Sequence, residues 1–234
     1  MLLRSVHIAA EDAHEGWPFT IPAIAHIVDE PLEFTSSLVV IVGENGSGKS
    51  TLLDAIADAY GLDNRGGHGD RRYASSQPRT PLGERLQLRF ATPIPPKRRP
   101  GFYLRAQNAR TTFEEMARWE VPGYASPDRV SHGESYLEVL SGRFTQPGLY
   151  LLDEAEGPLS FGSTLQLMYR LRELAALADS HVIYTTHSPM IAALPGAQVI
   201  ELDEHGYMTT RWDDLTMTAL WRRFLDRPDL FFEA

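Results

Sequence analysis

Three short, mostly apolar runs predict strands that are buried on both faces of a sheet. The runs cover residues 38–42, 149–152 and 181–186. A helix is expected over residues 49–60, and residues 164–178 have the period of an amphipathic helix. Strands that alternate with helices in this way form mainly parallel sheets. We therefore expect an α/β fold built on a mainly parallel sheet.

The remaining segments have shorter or mixed patterns. Residues 2–8 and the alternating residues 85–90 predict two further strands. Pro18 and Pro22 favour short extended pieces over residues 17–28, at an edge or in turns. The other expected features are a helix end at Gly61, a helix cap at Ser163, a long loop over residues 61–81, a strand over 101–104, helices over 111–120, 133–140 and 214–225, and a hairpin over 197–211.

A glycine-rich loop joins the first buried strand to the helix that follows it. It reads Gly43, Glu44, Asn45, Gly46, Ser47, Gly48, Lys49, Ser50 and Thr51, and it fits the pattern G-x-x-x-x-G-K-[ST] in full. Glycines let successive N–H groups point at phosphate oxygens, and the helix adds the positive end of its dipole. We expect Lys49 to reach the β- and γ-phosphates of a nucleotide and Ser50 to hold Mg²⁺.

Chemically active side chains follow the other two buried runs. Asp153 and Glu154 close the second run, where a Mg²⁺ ligand is needed. We expect Asp153 to bind the ion through water, and Glu154 to orient and deprotonate the attacking water. His187 follows the third run, where it could hydrogen-bond the γ-phosphate or the lytic water. The plain structural alternatives are a helix-capping carboxylate pair and a structural histidine.

A second anion-binding segment precedes the helical run 136–140. It reads Ser131, His132, Gly133, Glu134 and Ser135. Serine and glycine at a helix start offer N–H donors and the positive end of the dipole, as in the first loop. Because the first loop already holds the nucleotide from one side, a second site implies a partner subunit that closes from the other side.

The order of these motifs resembles that of the ATP-binding-cassette (ABC) ATPases over about residues 1–211. Within that superfamily, residues 131–135 and 153–160 are most similar to small stand-alone bacterial ATPases. The resemblance implies a P-loop NTPase fold, ABC-ATPase-like, with a mainly parallel sheet, an antiparallel N-terminal β part and a small helical lobe. It also implies one ATPase domain over residues 1–234, with the helical lobe inserted at about residues 107–145.

The resemblance also assigns cofactors and roles. It implies that ATP and Mg²⁺ bind, and that a homodimer forms around two ATP molecules. Ser131 and Gly133 would contact the γ-phosphate held by the other subunit, and residues 157–160 would meet their counterpart across the dimer. Gln107 lies where the family has its glutamine loop and would reach Mg²⁺ or the lytic water, with an ordinary surface amide as the alternative.

Two features depart from the family or leave a role open. The transporter signature has glycine and glutamine where this chain has His132 and Glu134, which changes the geometry and charge of the second phosphate site. For an aromatic that stacks on adenine, Trp17 and Phe19 are the candidates, and ordinary edge or core packing is the alternative for both.

Composition bounds the remaining possibilities. The chain has 234 residues, 43% of them hydrophobic, which suits one sizeable domain. It has no cysteine, which excludes disulfides and thiol chemistry. No run approaches the ~20 apolar residues that a membrane-spanning helix needs, so we expect no transmembrane segment and a cytoplasmic protein.

Charge is unevenly distributed along the chain. The net charge is −9, yet residues 65–110 hold eleven basic residues against two acidic ones. Such a stretch is either a solvated surface or a face for an anionic partner such as nucleic acid. The leading hypothesis is an ATPase that homodimerises on ATP, with an unidentified protein partner possible. The alternatives are the nucleotide-binding subunit of a transporter and a nucleic-acid-linked or defence-linked ATPase.

Overall fold

Two sheets organise the part of the chain that the computed structural model describes, which is residues 1–62, 67–68, 79–94, 99–105, 137, 142, 144 and 146–232. The smaller sheet is antiparallel, in the order β2 (Leu32–Glu33), β1 (Leu3–Ile8) and β5 (Leu86–Phe90). The larger sheet contains, in spatial order, β10 (Gly206–Thr210), β9 (Gln198–Asp203), β3 (Leu38–Gly43), β8 (His181–Thr186), β7 (Leu149–Asp153), β6 (Gly101–Arg105) and β4 (Gly67–His68).

The five central strands of the larger sheet, from β9 to β6, are parallel, and the edge strands β10 and β4 are antiparallel. The register aligns Asp153 of β7 with Thr185 of β8 and with Arg105 of β6. In the same way Val42 of β3 is level with Thr186 of β8. The carboxyl ends of four parallel strands therefore meet at one edge, and the mainly parallel sheet and antiparallel N-terminal part predicted above are confirmed.

Helices cover both faces of the larger sheet. The α-helices of the described residues are α1 (Pro22–Asp29), α2 (Lys49–Tyr60), α3 (Pro81–Arg85), α4 (Phe161–Ala176), α5 (Pro189–Ala192) and α6 (Thr216–Asp226). Short 3₁₀ turns lie at Ala10–Asp12, Trp212–Asp214 and Pro228–Phe231. Helix α2 ends as predicted, because Gly61 takes the left-handed conformation that commonly closes a helix.

The sheet separates two hydrophobic cores, and the alternation along β3 shows why. Val39 and Ile41 pack with α1, α2 and the small sheet. Leu38, Val40 and Val42 pack on the opposite side with α4 and α5. Successive side chains of a strand point to opposite faces, so a strand between two helical layers must be apolar throughout. The packing on both faces fixes the position of the strands whose ends carry the polar residues of the site.

Three local predictions are wrong. Residues 22–29 form helix α1 and not an extended piece, because proline is favourable at the first position of a helix and Ile24 and Ile27 share a buried face. Helix α4 begins at Phe161, and its cap is Ser160, whose Oγ accepts from the Ser163 N–H at 3.2 Å. The predicted loop 61–81 contains the two-residue strand β4 and the first residue of α3.

Several predicted elements lie outside the described residues. They are the helix over residues 111–120, nearly all of the helix over 133–140, and most of the helical lobe at about residues 107–145. Within the described ranges, no helix is both long and apolar enough to cross a membrane.

Candidate functional site

The glycine loop between β3 and α2 has a backbone that only glycine accommodates at two positions. A Cβ on Gly43 would lie 2.6 Å from the carbonyl oxygen of Leu202 in β9. Gly48 has φ +98°, and a Cβ there would lie 2.7 Å from Cγ2 of Ile21, just before α1. The loop therefore packs closely between β9 and the residue before α1, where a side chain at either glycine would clash.

Lys49 lies buried at the base of this loop, with 5% of its surface exposed. Its Nζ donates to the carbonyl oxygens of Gly43 at 2.8 Å and Glu44 at 3.0 Å. Burial lowers the pKa of Lys49, and the nearby carboxylates act against this shift. Ser47 Oγ is buried, and it has no hydrogen-bond partner among the described residues. A buried cation and an unpaired hydroxyl beside a glycine cradle fit the phosphates of a nucleotide.

Ser50 and Asp153 are brought together at the amino end of α2. Ser50 Oγ donates to Asp153 Oδ1 at 3.1 Å, and Thr185 Oγ1 donates to the same oxygen at 2.5 Å. Asp153 is 8% exposed. A hydroxyl and a carboxylate in contact beside a phosphate loop are the oxygen ligands that suit Mg²⁺. Ser50 and Asp153, two of the three residues predicted to hold the metal ion, therefore fit it.

Glu154 and His187 also meet at this edge. Glu154 Oε1 lies 3.2 Å from His187 Nε2, and the side chains are 46% and 37% exposed. The backbone N–H of Glu154 donates to the carbonyl oxygen of Thr185 at 3.0 Å. An accessible carboxylate beside an imidazole can bind a water molecule and accept its proton.

Comparisons with known proteins identify the family of this chain. A family model described as "AAA domain" matches residues 21–84. The aliphatic sulfonates import ATP-binding protein SsuB 2 of Mesorhizobium japonicum (strain LMG 29417 / CECT 9101 / MAFF 303099) is 31% identical over 174 residues, which is 71% of this chain and 66% of that protein. The chain belongs to the ABC-type ATPase family. The chain spans 66% of that relative's length, and the import role in the name belongs to that relative.

One of two solved structures, with a TM-score above 0.5, supports the fold. A chain of a metal-chelate type ABC transporter in an inward-facing conformation has a TM-score of 0.53 and 16% identity, over 94% of this chain and 89% of that chain. The SMC head domain from Thermotoga maritima has a TM-score of 0.49 and 16% identity, over 90% of this chain and 99% of that one. At 16% identity, the likeness to the transporter chain shows a shared fold and nothing further.

Arg105 belongs to the candidate site, and the sequence did not single it out. Its Nη2 lies 2.7 Å from Asp54 Oδ2, and its Nε lies 3.7 Å from Asp153 Oδ2. The Tyr103 hydroxyl donates to Asp54 Oδ1 at 2.7 Å. Burial raises the pKa of Asp54 to about 6, although the hydroxyl and the guanidinium both act against the rise. Arg105 thus supplies the positive charge between the buried carboxylate of Asp153 and the half-buried carboxylate of Asp54.

Glu156 is the second such residue. Its Oε2 accepts from the Tyr184 hydroxyl at 2.7 Å, and its Oε1 accepts from the Thr186 hydroxyl. Thr186 Oγ1 in turn accepts from the Ser188 N–H at 2.8 Å. The one sequence signal for this contact was the position of Glu156 two residues after Glu154.

Other predicted site residues have different outcomes. Gln107, Ser131 and Gly133 lie outside the described residues. Phe19 is 7% exposed and belongs to the hydrophobic core, whereas Trp17 is 75% exposed. Of the two aromatic candidates for adenine, Trp17 is therefore the one with an accessible ring.

The described part of the basic stretch 65–110 is partly committed to internal contacts. Arg99 lies over the ring of Phe90 at 4.5 Å from its centroid and contacts Tyr60 as well. Arg105 pairs with Asp54, as above, and Arg85 Nη1 donates to the carbonyl oxygen of Pro81. These three guanidinium groups are therefore engaged with aromatic rings, a carboxylate or a backbone carbonyl of the same chain.

Proposed function

We propose that this chain binds Mg-ATP at the loop 43–51, pairs with a second copy around two nucleotides and hydrolyses ATP at the composite sites. One observation carries the proposal: buried Lys49, the Ser50–Asp153 pair and the Glu154–His187 pair lie at the same edge of one parallel sheet. Cation, metal ligands and proton acceptor are the three parts that phosphoryl transfer to water requires.

Each residue has a defined role in this proposal. Lys49 and the loop amides hold the phosphates, and Ser50 and Asp153 hold Mg²⁺, which when bound neutralises charge on the phosphate oxygens. Glu154 accepts the proton of the attacking water. His187 lies next to Glu154 and orients the water or the γ-phosphate. Gln107 would complete the metal and water contacts.

A second copy of the chain is part of the proposal because the site is open on one side. Glu154 and His187 are about half and about a third exposed, and general-base catalysis is more efficient where bulk water is excluded. Ser131 and Gly133 of the second copy would cover the nucleotide, and residues 157–160 would lie at the contact. Nucleotide binding would then drive a rigid-body closure of two subunits.

The test is the Glu154→Gln variant, which keeps the size of the side chain but cannot accept the proton. We expect kcat to fall by about 10²–10⁴-fold while the ATP affinity stays within about threefold, since general-base catalysis contributes that much to rate. Light scattering with Mg-ATP is expected to show a dimer. Glu173→Gln, on the exposed face of α4, is the matched control and should behave as wild type.

Two results would contradict the proposal. Undiminished turnover in Glu154→Gln would remove Glu154 from the mechanism. If the protein stays monomeric at high concentration with saturating Mg-ATP, the proposed dimer is wrong.

A second candidate function is the nucleotide-binding subunit of a transporter. The name of the curated relative, an import ATP-binding protein, favours it. Affinity capture with Glu154→Gln and ATP distinguishes the candidates, because the variant should hold the closed state. Recovery of a second copy alone supports the stand-alone ATPase, and recovery of a membrane protein supports the transporter subunit.

A further inference from the structure

The turn after β7 places Glu154 in an uncommon backbone conformation. Glu154 has φ +52°, in the left-handed region that favours glycine. Its carbonyl oxygen accepts from the Gly157 N–H at 3.1 Å, and the Glu156 carbonyl oxygen accepts from the Leu159 N–H at 2.8 Å. Ala155 is fully buried between them. Such a conformation persists only where the surroundings enforce it.

Glu156 links this turn to the next strand. Its carboxylate accepts hydrogen bonds from Tyr184 and Thr186, two residues apart on the same face of β8. Hydrogen bonds to a charged acceptor are stronger than those between neutral groups. The carboxylate therefore fixes the turn to β8 at two points.

The same contact reaches His187 from the other direction. Thr186 directly precedes His187, and Thr186 Oγ1 accepts from the Ser188 N–H that directly follows it. One carboxylate thus fixes the backbone that carries Glu154 and the backbone on both sides of His187. The 3.2 Å distance between Glu154 Oε1 and His187 Nε2 depends on both.

We propose that Glu156 is a positioning residue for hydrolysis, which holds Glu154 and His187 in register without touching the reacting atoms. This inference rests on the proposed function. Misplacement of a catalytic group by about 1 Å can cost 10²-fold in rate, so loss of the Glu156 contacts should lower kcat. Nucleotide binding uses the loop 43–51 on another strand and should not change.

The experiment compares Glu156→Ala with Glu156→Gln in steady-state hydrolysis and in binding of a fluorescent ATP analogue. We expect Glu156→Ala to lower kcat by about 10–100-fold with an analogue Kd within about threefold of wild type. Glutamine can keep both contacts, since its Oε1 accepts from one hydroxyl and its Nε2 donates to the other. Glu156→Gln should therefore retain kcat to within about threefold.

Two further measurements separate positioning from general damage. Hydrogen exchange of the peptide that contains residues 154–160 should rise in Glu156→Ala, while the peptide of the loop 43–51 stays protected. Thr186→Val removes one of the two hydrogen bonds that Glu156→Ala removes, so it should also lower kcat, and adding it to Glu156→Ala should lower kcat little further. Glu173 is an exposed glutamate of α4, and the control variant Glu173→Ala should change neither kcat nor the hydrogen exchange of these peptides.

The outcomes that overturn the inference differ from those that overturn the proposed function. Wild-type kcat in Glu156→Ala, in a protein that Glu154→Gln inactivates, contradicts the positioning role alone. Equal losses of kcat and analogue affinity in Glu156→Ala also contradict it, because they indicate general damage. A wild-type protein without ATP turnover contradicts the proposed function, and the positioning role fails with it.

Discussion

His181, at the start of β8, is a fully buried histidine far along the strand from the candidate site. Its Nδ1 accepts the Leu3 N–H at 3.2 Å, and its ring meets Phe34 edge to face at 5.1 Å. Because Nδ1 accepts a hydrogen bond, it cannot carry a proton in this arrangement. Burial lowers the pKa of His181 to about 3. The folded protein therefore requires the neutral imidazole.

We predict a loss of stability in mild acid that depends on His181. Between pH 6.5 and about 3 the unfolded chain protonates this histidine and the folded chain does not. The free energy of unfolding should thus be unaffected by His181 above pH 6.5 and should fall below it by up to ~1.4 kcal/mol per pH unit. Urea unfolding of wild type and His181→Gln at pH 7.5, 6.5, 5.5 and 5.0 measures the difference in slope.

Glutamine is the informative substitution because its Oε1 can still accept the Leu3 N–H. His205→Gln is the control, since the His205 side chain is 83% exposed. If His181→Gln and wild type lose stability in parallel between pH 6.5 and 5.0, the neutral buried histidine is not the cause.

Residue types predicted the site only where their role follows from position along the chain. Asp153 ends a buried strand, Glu154 and His187 each directly follow one, and strand ends of a parallel sheet meet at one edge. Arg105 and Glu156 act through partners on other strands or helices. Those partners, Asp54 for Arg105 and Thr186 for Glu156, follow from strand order and register, which no local pattern contains.

At the scale of elements, the strands β3, β7 and β8 were predictable because both of their faces are buried and the whole run must be apolar. Helix α1 was not predicted from the sequence, because Pro18 and Pro22 indicated short extended pieces at an edge or in turns. Pro22 occupies the first turn of α1, where its missing N–H costs nothing. The start of α4 was also predicted wrongly, because Ser160 and Ser163 are both suitable capping residues and lie only three positions apart.

The capping of α4 gives a prediction that distinguishes those two serines. Ser160→Ala removes the oxygen that accepts the Ser163 N–H and should cost ~1 kcal/mol, or about 2–4 °C in Tm for a chain of this size. Ser163→Ala leaves that acceptor in place and should change stability by less than ~0.5 kcal/mol. Differential scanning calorimetry of both variants without nucleotide is the measurement. A larger loss in Ser163→Ala would assign the cap to Ser163 instead.

At the scale of the whole molecule, the mainly parallel sheet brings together one half of the proposed catalytic site. Lys49, Ser50, Asp153, Glu154 and His187 come from two strand ends and one helix of the same chain. The proposed second half, Ser131 and Gly133, would come from another copy. A twofold dimer of this kind has two sites, each with a loop 43–51 from one subunit and Ser131 from its partner.

This arrangement predicts complementation between two inactive variants. Lys49→Ala has no intact phosphate loop, and Ser131→Ala has no intact second half, so each alone should lack a complete site. A mixed dimer combines Lys49 of one subunit with Ser131 of the other and contains one complete site. In an equimolar mixture half of the dimers are mixed, so turnover per subunit should recover to about a quarter of wild type.

The measurement is steady-state ATP turnover of each variant alone and of the mixture, over a range of total protein concentrations. Recovery should increase with concentration, because it requires association. Adding Ser131→Ala to the double variant Lys49→Ala/Ser131→Ala is the control and should restore nothing, since no subunit then supplies Ser131. A mixture that stays as inactive as its components at saturating concentration would mean that Ser131 does not complete the site of a second copy, and that the loop 43–51 works within a single subunit.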